Sequence, residues 1–193
     1  MPSWLSPQMK KLKTSLKSFL RKESFLADLI LFGSGLKGKV KPGDIDLIAL
    51  FRDHNAERIE EIVYKIRKEG EDLALDLHVE PIVVDQMFDQ KVYPLLLHEG
   101  FSIRCSEFIH KKLNFQPLVL VTYLLAGKSL SDKVRFSYAL YGRVRGGGLL
   151  GKIHGERVGK GSILIPIAQQ ETIRFFFKQW GINHKEQRLF LFR

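Results

Sequence analysis

The chain has 193 residues, of which 45% are hydrophobic and 27% are charged, a composition that excludes wholesale disorder. Its single cysteine, Cys105, cannot form an internal disulfide, and no apolar stretch approaches the roughly 20 residues that cross a bilayer. We therefore expect a cytoplasmic protein without a membrane partner. The net charge is +10, but residues 44–100 carry 14 acidic and 6 basic side chains, whereas residues 101–193 carry 5 acidic and 16 basic ones. This distribution indicates carboxylates gathered for a purpose beside a surface for a polyanion.

The first predicted element is a basic amphipathic helix. Apolar residues recur at helical spacing from Leu5 to Leu20, and lysines fill the other faces. Such a helix could lie on a membrane or serve as a transit segment. Its direct passage into a predicted strand at residues 29–32 favours the simpler interpretation, a first helix that packs on a sheet.

The elements that follow predict a mixed α/β unit. A second strand fits residues 45–51, and Asn55 or Asp53 caps a helix that Gly70 stops. A third strand at residues 73–84, a short helix at about 86–99 and a strand at 101–105 complete this unit.

A second pattern begins near residue 115. It predicts a strand at 118–125, a helix capped by Ser131 or Ser129, a glycine-rich basic loop at 142–161, a strand at 162–167, a helix at 169–180 and a strand at 188–192. Phe175, Phe176 and Phe177 are expected in its core. We therefore predict two domains, residues 1–114 and a basic β-α-β-α-β unit at residues 115–193.

One segment of the first domain carries chemistry. A strand ends in Gly33 and Ser34, a basic loop containing Lys37 follows, and the next strand opens with Asp44 and Asp46. Alternation along a strand places both carboxylates on one face, where hard oxygen ligands suit Mg²⁺. Glycine allows a phosphate close to the backbone, and serine adds donors. A phosphate cradle beside a metal-binding pair is what phosphoryl transfer requires.

These residues resemble the catalytic signature of the nucleotidyltransferase superfamily that includes DNA polymerase beta, in particular its minimal nucleotidyltransferases. The signature is a Gly-Ser turn, about ten loop residues and Asp-apolar-Asp-apolar on a strand, with a third carboxylate on a later strand. Asp76 fits the third position, and the resemblance covers roughly residues 28–105. Minimal members commonly carry a serine before the first aspartate and an arginine in the loop, where this chain has Gly43 and Lys37.

The resemblance implies a mixed sheet with flanking helices and a mechanism with two Mg²⁺ ions and a nucleoside triphosphate such as ATP. Asp44 and Asp46 would hold the ions, and one ion would be shared with Asp76 and would activate the acceptor hydroxyl. The β- and γ-phosphates would lie at Gly33 and Ser34, with Lys37 nearby. His78 shares a face with Asp76, but a lone strand histidine is more often structural.

The second domain supplies the candidate nucleic-acid contacts. Glycines let the backbone approach phosphates, arginines pair with them, and Tyr138 or Tyr141 could stack on a base. The basic residues concerned are Arg143, Arg145, Lys152, Arg157 and Lys160. We therefore expect a nucleotidyltransferase that acts on RNA or another nucleic acid. The alternatives are transfer to a protein or small molecule, or a module that binds nucleic acid or nucleotide without turnover.

Overall fold

The computed structural model describes residues 7–36, 44–144 and 147–192. The chain divides into two compact units, Met1–Leu113 and Asn114–Arg193. Each unit contains a β-sheet and helices, which confirms the predicted mixed α/β class. Among the described residues, no helix is both long and apolar enough to cross a bilayer.

Unit 1 is built on a mixed sheet with the strand order β3-β2-β1-β4-β5. Strands β2 and β3 run parallel, and the other neighbours are antiparallel. Two 3-10 turns, Gly33–Leu36 and Val84–Asp89, follow β1 and β3. In chain order the helices and strands are α1 (Pro7–Lys22), β1 (Leu26–Phe32), β2 (Asp44–Phe51), α2 (Ala56–Glu71), β3 (Asp76–Val83), α3 (Tyr93–Glu99), β4 (Phe101–Ser102), β5 (Glu107–Phe108) and α4 (Ile109–Lys112).

The two faces of this sheet differ in what covers them. Helices α1 and α2 pack on one face, where they bury alternate residues of β2 such as Ile45 and Leu47, so the expected packing of the first helix is confirmed. On the other face, Ile48 and Leu50 pack against Leu96 of α3. The start of β2 on this second face is acidic instead of apolar. At this end of the sheet, acidic side chains therefore stand where apolar packing stops.

Helix α2 is the crossover between the parallel strands, and its ends show how the sequence fixes it. The Asn55 side chain accepts a hydrogen bond from the Arg58 amide at 3.0 Å, which satisfies a free helix N–H. The prediction that Gly70 stops this helix is wrong, because Gly70 lies within its last turn. A Cβ at this position would overlap the Leu77 side chain. Glycine here allows close packing of helix on strand.

Unit 2 is built on an antiparallel sheet with the strand order β7-β8-β6-β9. One face of the sheet, including Val119, Val121 and Ile165, packs against Phe136 of α5 and Phe177 of α7. A 3-10 turn, Ile167–Gln169, precedes α7. In chain order the elements are β6 (Phe115–Tyr123), α5 (Leu130–Tyr141), α6 (Leu149–Lys152), β7 (Glu156–Gly159), β8 (Ser162–Pro166), α7 (Gln170–Gln179) and β9 (His184–Phe192).

Two expectations for unit 2 are corrected. The segment 142–161 is not a single loop, because it contains the helical turn α6 and the edge strand β7. All four residues of β7 are exposed, so the strand shows no apolar alternation and is defined by its pairing with β8. Phe177 is buried as expected, but Phe175 is 63% exposed because it lies on the outer face of the amphipathic helix α7.

Candidate active site

The three aspartates singled out from the sequence meet at one end of the unit 1 sheet. In the parallel pair of β2 and β3, Asp44 is the register partner of Asp76, and Asp46 is the partner of His78. Paired residues of neighbouring strands project to the same side of a sheet, so these four side chains share one face. The parallel crossover through α2 thus pairs residues that lie 32 positions apart in the chain.

These side chains line a cleft of about 460 Å³, together with Arg67 and Leu77. Asp44, Asp76 and His78 are exposed, and Asp46 is half-buried. In the part of the chain that the structure describes, the carboxylates of the three aspartates have no hydrogen-bond or ion-pair partner. A cluster of open carboxylates suits a cationic or hydrogen-bond-donating ligand.

The turn that follows β1 borders the same site. Gly33 has φ +75°, a conformation that costs other residues about 1–2 kcal/mol. A Cβ at Gly33 would also overlap Oδ2 of Asp46, so the Asp46 carboxylate lies against the turn. Of Ser34 only the backbone is described, in the 3-10 turn Gly33–Leu36, and Lys37 lies outside the described residues.

Arg67 is the site residue that the sequence analysis missed. It lies on α2, beside the buried stripe that contains Ile66, and belongs to the helix on the opposite face of the sheet. Its side chain reaches the edge strand β3, where Nη2 donates a long hydrogen bond of 3.5 Å to the Val79 carbonyl. Arg67 carries the positive charge among the described residues that line the cleft. Its position next to the buried stripe was the available signal, but only the folded structure shows that its side chain lines the cleft with the aspartates.

The fit of a metal ion follows from the donor set. Aspartate oxygens are hard ligands of the kind that Mg²⁺ prefers. The described residues contain no group of three or more His, Cys, Asp or Glu that could hold a metal ion by themselves. Mg²⁺ is usually bound by one or two carboxylates together with substrate phosphates, and it keeps several waters. Asp44 and Asp46 fit that kind of site.

In unit 2 the structure brings two of the predicted nucleic-acid residues onto neighbouring tyrosines. The Arg143 guanidinium lies 5.1 Å from the Tyr138 ring centroid, and that of Arg157 lies 4.9 Å from the Tyr141 ring. The two tyrosines are three positions apart on α5 and so lie on adjacent surface. We call these four residues the arginine–tyrosine surface.

The other three predicted nucleic-acid residues are placed differently. Lys152 is the last residue of α6, and Lys160 lies in the turn between β7 and β8. Both side chains are exposed. Arg145 lies outside the described residues.

A hydrogen bond anchors the arginine–tyrosine surface to the core. The hydroxyl groups of Tyr123 and Tyr141 are 2.6 Å apart. Burial raises the pKa of Tyr123, and the hydrogen bond to Tyr141 raises it further. Tyr123 is therefore neutral at physiological pH and fixes the Tyr141 ring beneath Arg157.

One comparison with known protein families matches most of unit 1. Residues 9–96 match the model of the nucleotidyltransferase domain family. This part of the chain is similar to the nucleotidyltransferase domain. The match includes Gly33, Asp44, Asp46 and Asp76, so it confirms the resemblance drawn from those residues. Nucleotidyl transfer is the chemistry of this domain family, and the basic second unit lies outside the match.

No curated protein matches the chain. One matching solved structure is described as the tri-AMPylated Shewanella oneidensis HEPN toxin in complex with the MNT antitoxin. The identity is 17%, the alignment covers 49% of this chain and 70% of the matched chain, and the TM-score is 0.33.

Proposed function

We propose that this nucleotidyltransferase domain moves a nucleoside monophosphate from a nucleoside triphosphate to an acceptor hydroxyl of RNA or another nucleic acid, with Mg²⁺ as cofactor. The observation that carries the proposal is the parallel register of β2 and β3. It places Asp44, Asp46 and Asp76 on one face, around a cleft with open carboxylates. The exposed free Cys105 is in keeping with a cytoplasmic site of action.

Each residue has a distinct task in this proposal. Asp44 and Asp46 would hold Mg²⁺, which when bound neutralises the triphosphate and lowers the pKa of the acceptor hydroxyl. Gly33 allows phosphate oxygens close to the backbone of the turn, and Ser34 and Lys37 follow it in sequence as further donors. Asp46, which lies against Gly33, links the phosphate side of the site to the reacting centre.

Asp76 acts on the acceptor side of the reaction. The acceptor oxygen forms a bond to the α-phosphorus while the bond from that phosphorus to the bridging oxygen of the β-phosphate breaks. Pyrophosphate leaves, and the carboxylate of Asp76 accepts the proton of the attacking hydroxyl. Asp76 is exposed on the edge strand, so a large acceptor can reach it.

The choice of nucleic acid as acceptor is supported by unit 2. Residues 101–193 carry a large basic excess, and the arginine–tyrosine surface presents guanidinium groups beside aromatic rings. Guanidinium groups pair with phosphates, and aromatic rings stack on bases. We propose that unit 2 holds the acceptor strand.

The test is incorporation of label from each α-labelled nucleoside triphosphate with Mg²⁺, with and without total RNA. The wild type is compared with the double variant Asp44→Asn/Asp46→Asn, which keeps side-chain size and removes charge. We expect label that depends on RNA and disappears in the double variant. The triphosphate that labels best identifies the preferred donor.

Two other results would contradict the proposal in different ways. Label on the protein itself, or on a partner protein, would replace the nucleic-acid acceptor with a protein hydroxyl. Absence of label with every triphosphate and acceptor would indicate a binding module without turnover.

A further inference from the structure

A second cavity continues the catalytic cleft along the edge of the sheet. It has a volume of about 390 Å³ and shares Arg67, Asp76 and Leu77 with the cleft. Its other lining residues, Glu71, Ala74 and Leu75, lie at the end of α2 and in the turn that leads to β3. The two cavities therefore adjoin at these three shared residues, and we call them together the edge groove.

The strand order gives this groove a direction. Strand β2, which carries Asp44 and Asp46, lies between β1 and β3. Gly33 lies at the end of β1, on one side of the aspartate pair, and the edge groove lies on the β3 side. If the triphosphate is held at Gly33, the edge groove is left for the acceptor.

Arg67 is placed to bind an anion in the edge groove. A guanidinium has five N–H donors, and in the described part of the chain that of Arg67 makes one hydrogen bond, the long one to Val79. Arginine binds phosphate through two parallel hydrogen bonds, a geometry that lysine cannot reproduce. Glu71 lies further along the groove.

We propose that Arg67 binds the last phosphodiester of the acceptor strand, the one next to the hydroxyl that reacts at Asp76. This rests on the function proposed above and makes its acceptor more specific. Neither a protein hydroxyl nor a plain sugar hydroxyl has a phosphodiester next to it. The acceptor of the edge groove is thus the terminus of an oligonucleotide, and Arg67 is a positioning residue for it.

The test uses two forms of one oligoribonucleotide with a free 3′ hydroxyl. One form is natural, and in the other a neutral methylphosphonate replaces the last phosphodiester. We expect the wild type to show a KM for the methylphosphonate acceptor about tenfold or more above that for the natural acceptor, because a charge-assisted contact is lost. Arg67→Ala should show the higher KM for both acceptors, with an unchanged KM for the triphosphate.

Controls separate this contact from general effects. Lys68→Ala removes the same charge from the next position of α2, and Lys68 lines neither cavity. It should keep the wild-type preference for the natural acceptor. Arg67→Lys should recover only part of that preference, because the paired geometry is lost. Thermal unfolding of the three variants should be alike.

Three outcomes would overturn the proposal. Equal discrimination between the two acceptors by wild type and Arg67→Ala would show that Arg67 does not contact that phosphate. A raised KM for the triphosphate alone would place Arg67 on the donor instead. Label that reaches only protein would overturn the nucleic-acid acceptor as well, and it would be recognised because the wild type itself would not extend the oligonucleotide.

Discussion

The acidic side chains at the aspartate end of unit 1 differ from Glu186 of unit 2 in whether the protein supplies hydrogen-bond donors to them. In unit 2 the Glu186 carboxylate accepts hydrogen bonds from Arg174 at 2.7 Å and from Gln170 at 2.6 Å, and it lies 3.1 Å from His184 Nε2. Burial acts to raise the pKa of Glu186, but these hydrogen bonds, above all that of Arg174, outweigh it and leave the pKa lowered. At the start of β2 and β3, within the described residues, no donor meets Asp44, Asp46 or Asp76.

The same contrast exists inside unit 1. Asp28 accepts hydrogen bonds from the Ser102 hydroxyl and from the amides of Leu29 and Arg104, and so ties β1 to the segment after β4. A carboxylate that stabilises the fold thus receives its hydrogen bonds from groups of the protein itself. Three open carboxylates on one face repel one another and reduce stability unless a ligand supplies positive charge or hydrogen-bond donors. Open carboxylates at the aspartate end of the sheet are what the proposed binding of Mg²⁺ and a nucleoside triphosphate requires.

The sharpest way to test this contrast is the double variant Asp44→Asn/Asp46→Asn. We expect nucleotidyl transfer to fall by about 1000-fold or more, because the charge that holds the metal is removed. The free energy of unfolding in urea should stay unchanged or rise, because repulsion is relieved. A clear loss of stability would show that these carboxylates serve the fold after all.

A second test concerns the turn that lies against the aspartates. Gly33→Ala should lower the rate of nucleotidyl transfer by about 100-fold. The added Cβ would displace the Asp46 carboxylate, and a misplacement of about 1 Å in an active site can reduce the rate by that factor. Gly127→Ala is the matched control. Gly127 also has φ +75°, but a Cβ there meets nothing within 4 Å. Equal transfer by the two variants would show that the contact with Asp46 is unimportant.

The satisfied carboxylate should behave in the opposite way. Glu186→Gln should lower the free energy of unfolding by about 2 kcal/mol, because hydrogen bonds to a charged acceptor are lost. The control Glu171→Gln also removes a carboxylate bonded to Arg174, but Glu171 is 70% exposed and should cost less than about 0.5 kcal/mol. Equal costs would indicate that the burial of Glu186 contributes nothing.

The effect of Glu186→Gln on the free energy of unfolding should depend on pH. Because the pKa of Glu186 is lowered in the folded state, its contribution is complete above the ordinary glutamate pKa of about 4.3. It is lost as the pH falls from there through the lower pKa of the folded protein. The stability difference between wild type and Glu186→Gln should therefore shrink in acid. A difference that grows in acid would contradict the assigned direction.

The arginine–tyrosine surface lies between these extremes, since its charges are stacked on rings but not neutralised. Arg143→Ala and Arg157→Ala should each weaken RNA binding about threefold to tenfold and reduce the salt dependence by about one ion. Arg135→Ala, which removes a 72% exposed charge of α5 paired with Asp132, is the control. If the salt dependence of RNA binding is unchanged in both arginine variants, the arginine–tyrosine surface does not contact the RNA.

Sequence reasoning reached Asp44 and Asp46 because strand alternation is a local property, so their shared face could be predicted from residues 44–47 alone. Asp76 was predicted only from the resemblance to the nucleotidyltransferase signature, because its meeting with Asp44 depends on how β2 pairs with β3. Arg67 could not be found in this way. Its role depends on how far α2 lies from the edge of β3, a distance that no local pattern encodes.

Other errors also have local physical causes. The helix predicted at about 86–99 is a 3-10 turn followed by α3, because Pro94 suits the first turn of a helix but not its middle. Strand β7 went unseen because a fully exposed strand lacks the apolar alternation that predicts one. A glycine near the end of a helical pattern can either end the helix or allow close packing against a strand, and the sequence alone does not distinguish the two. For this reason the prediction treated Gly70 as a helix stop.

The edge position of β3 has a consequence for how the protein behaves at high concentration. A bare outer strand is a template on which another chain can add, the first step of many aggregates. Here Arg67 lies over the Val79 carbonyl, and Pro81 offers no N–H for pairing. The strand also projects the charged side chains of Asp76 and Glu80. Arg67 and Asp76, which line the edge groove, and Glu80 and Pro81 further along β3 thus discourage the addition of a strand from another chain.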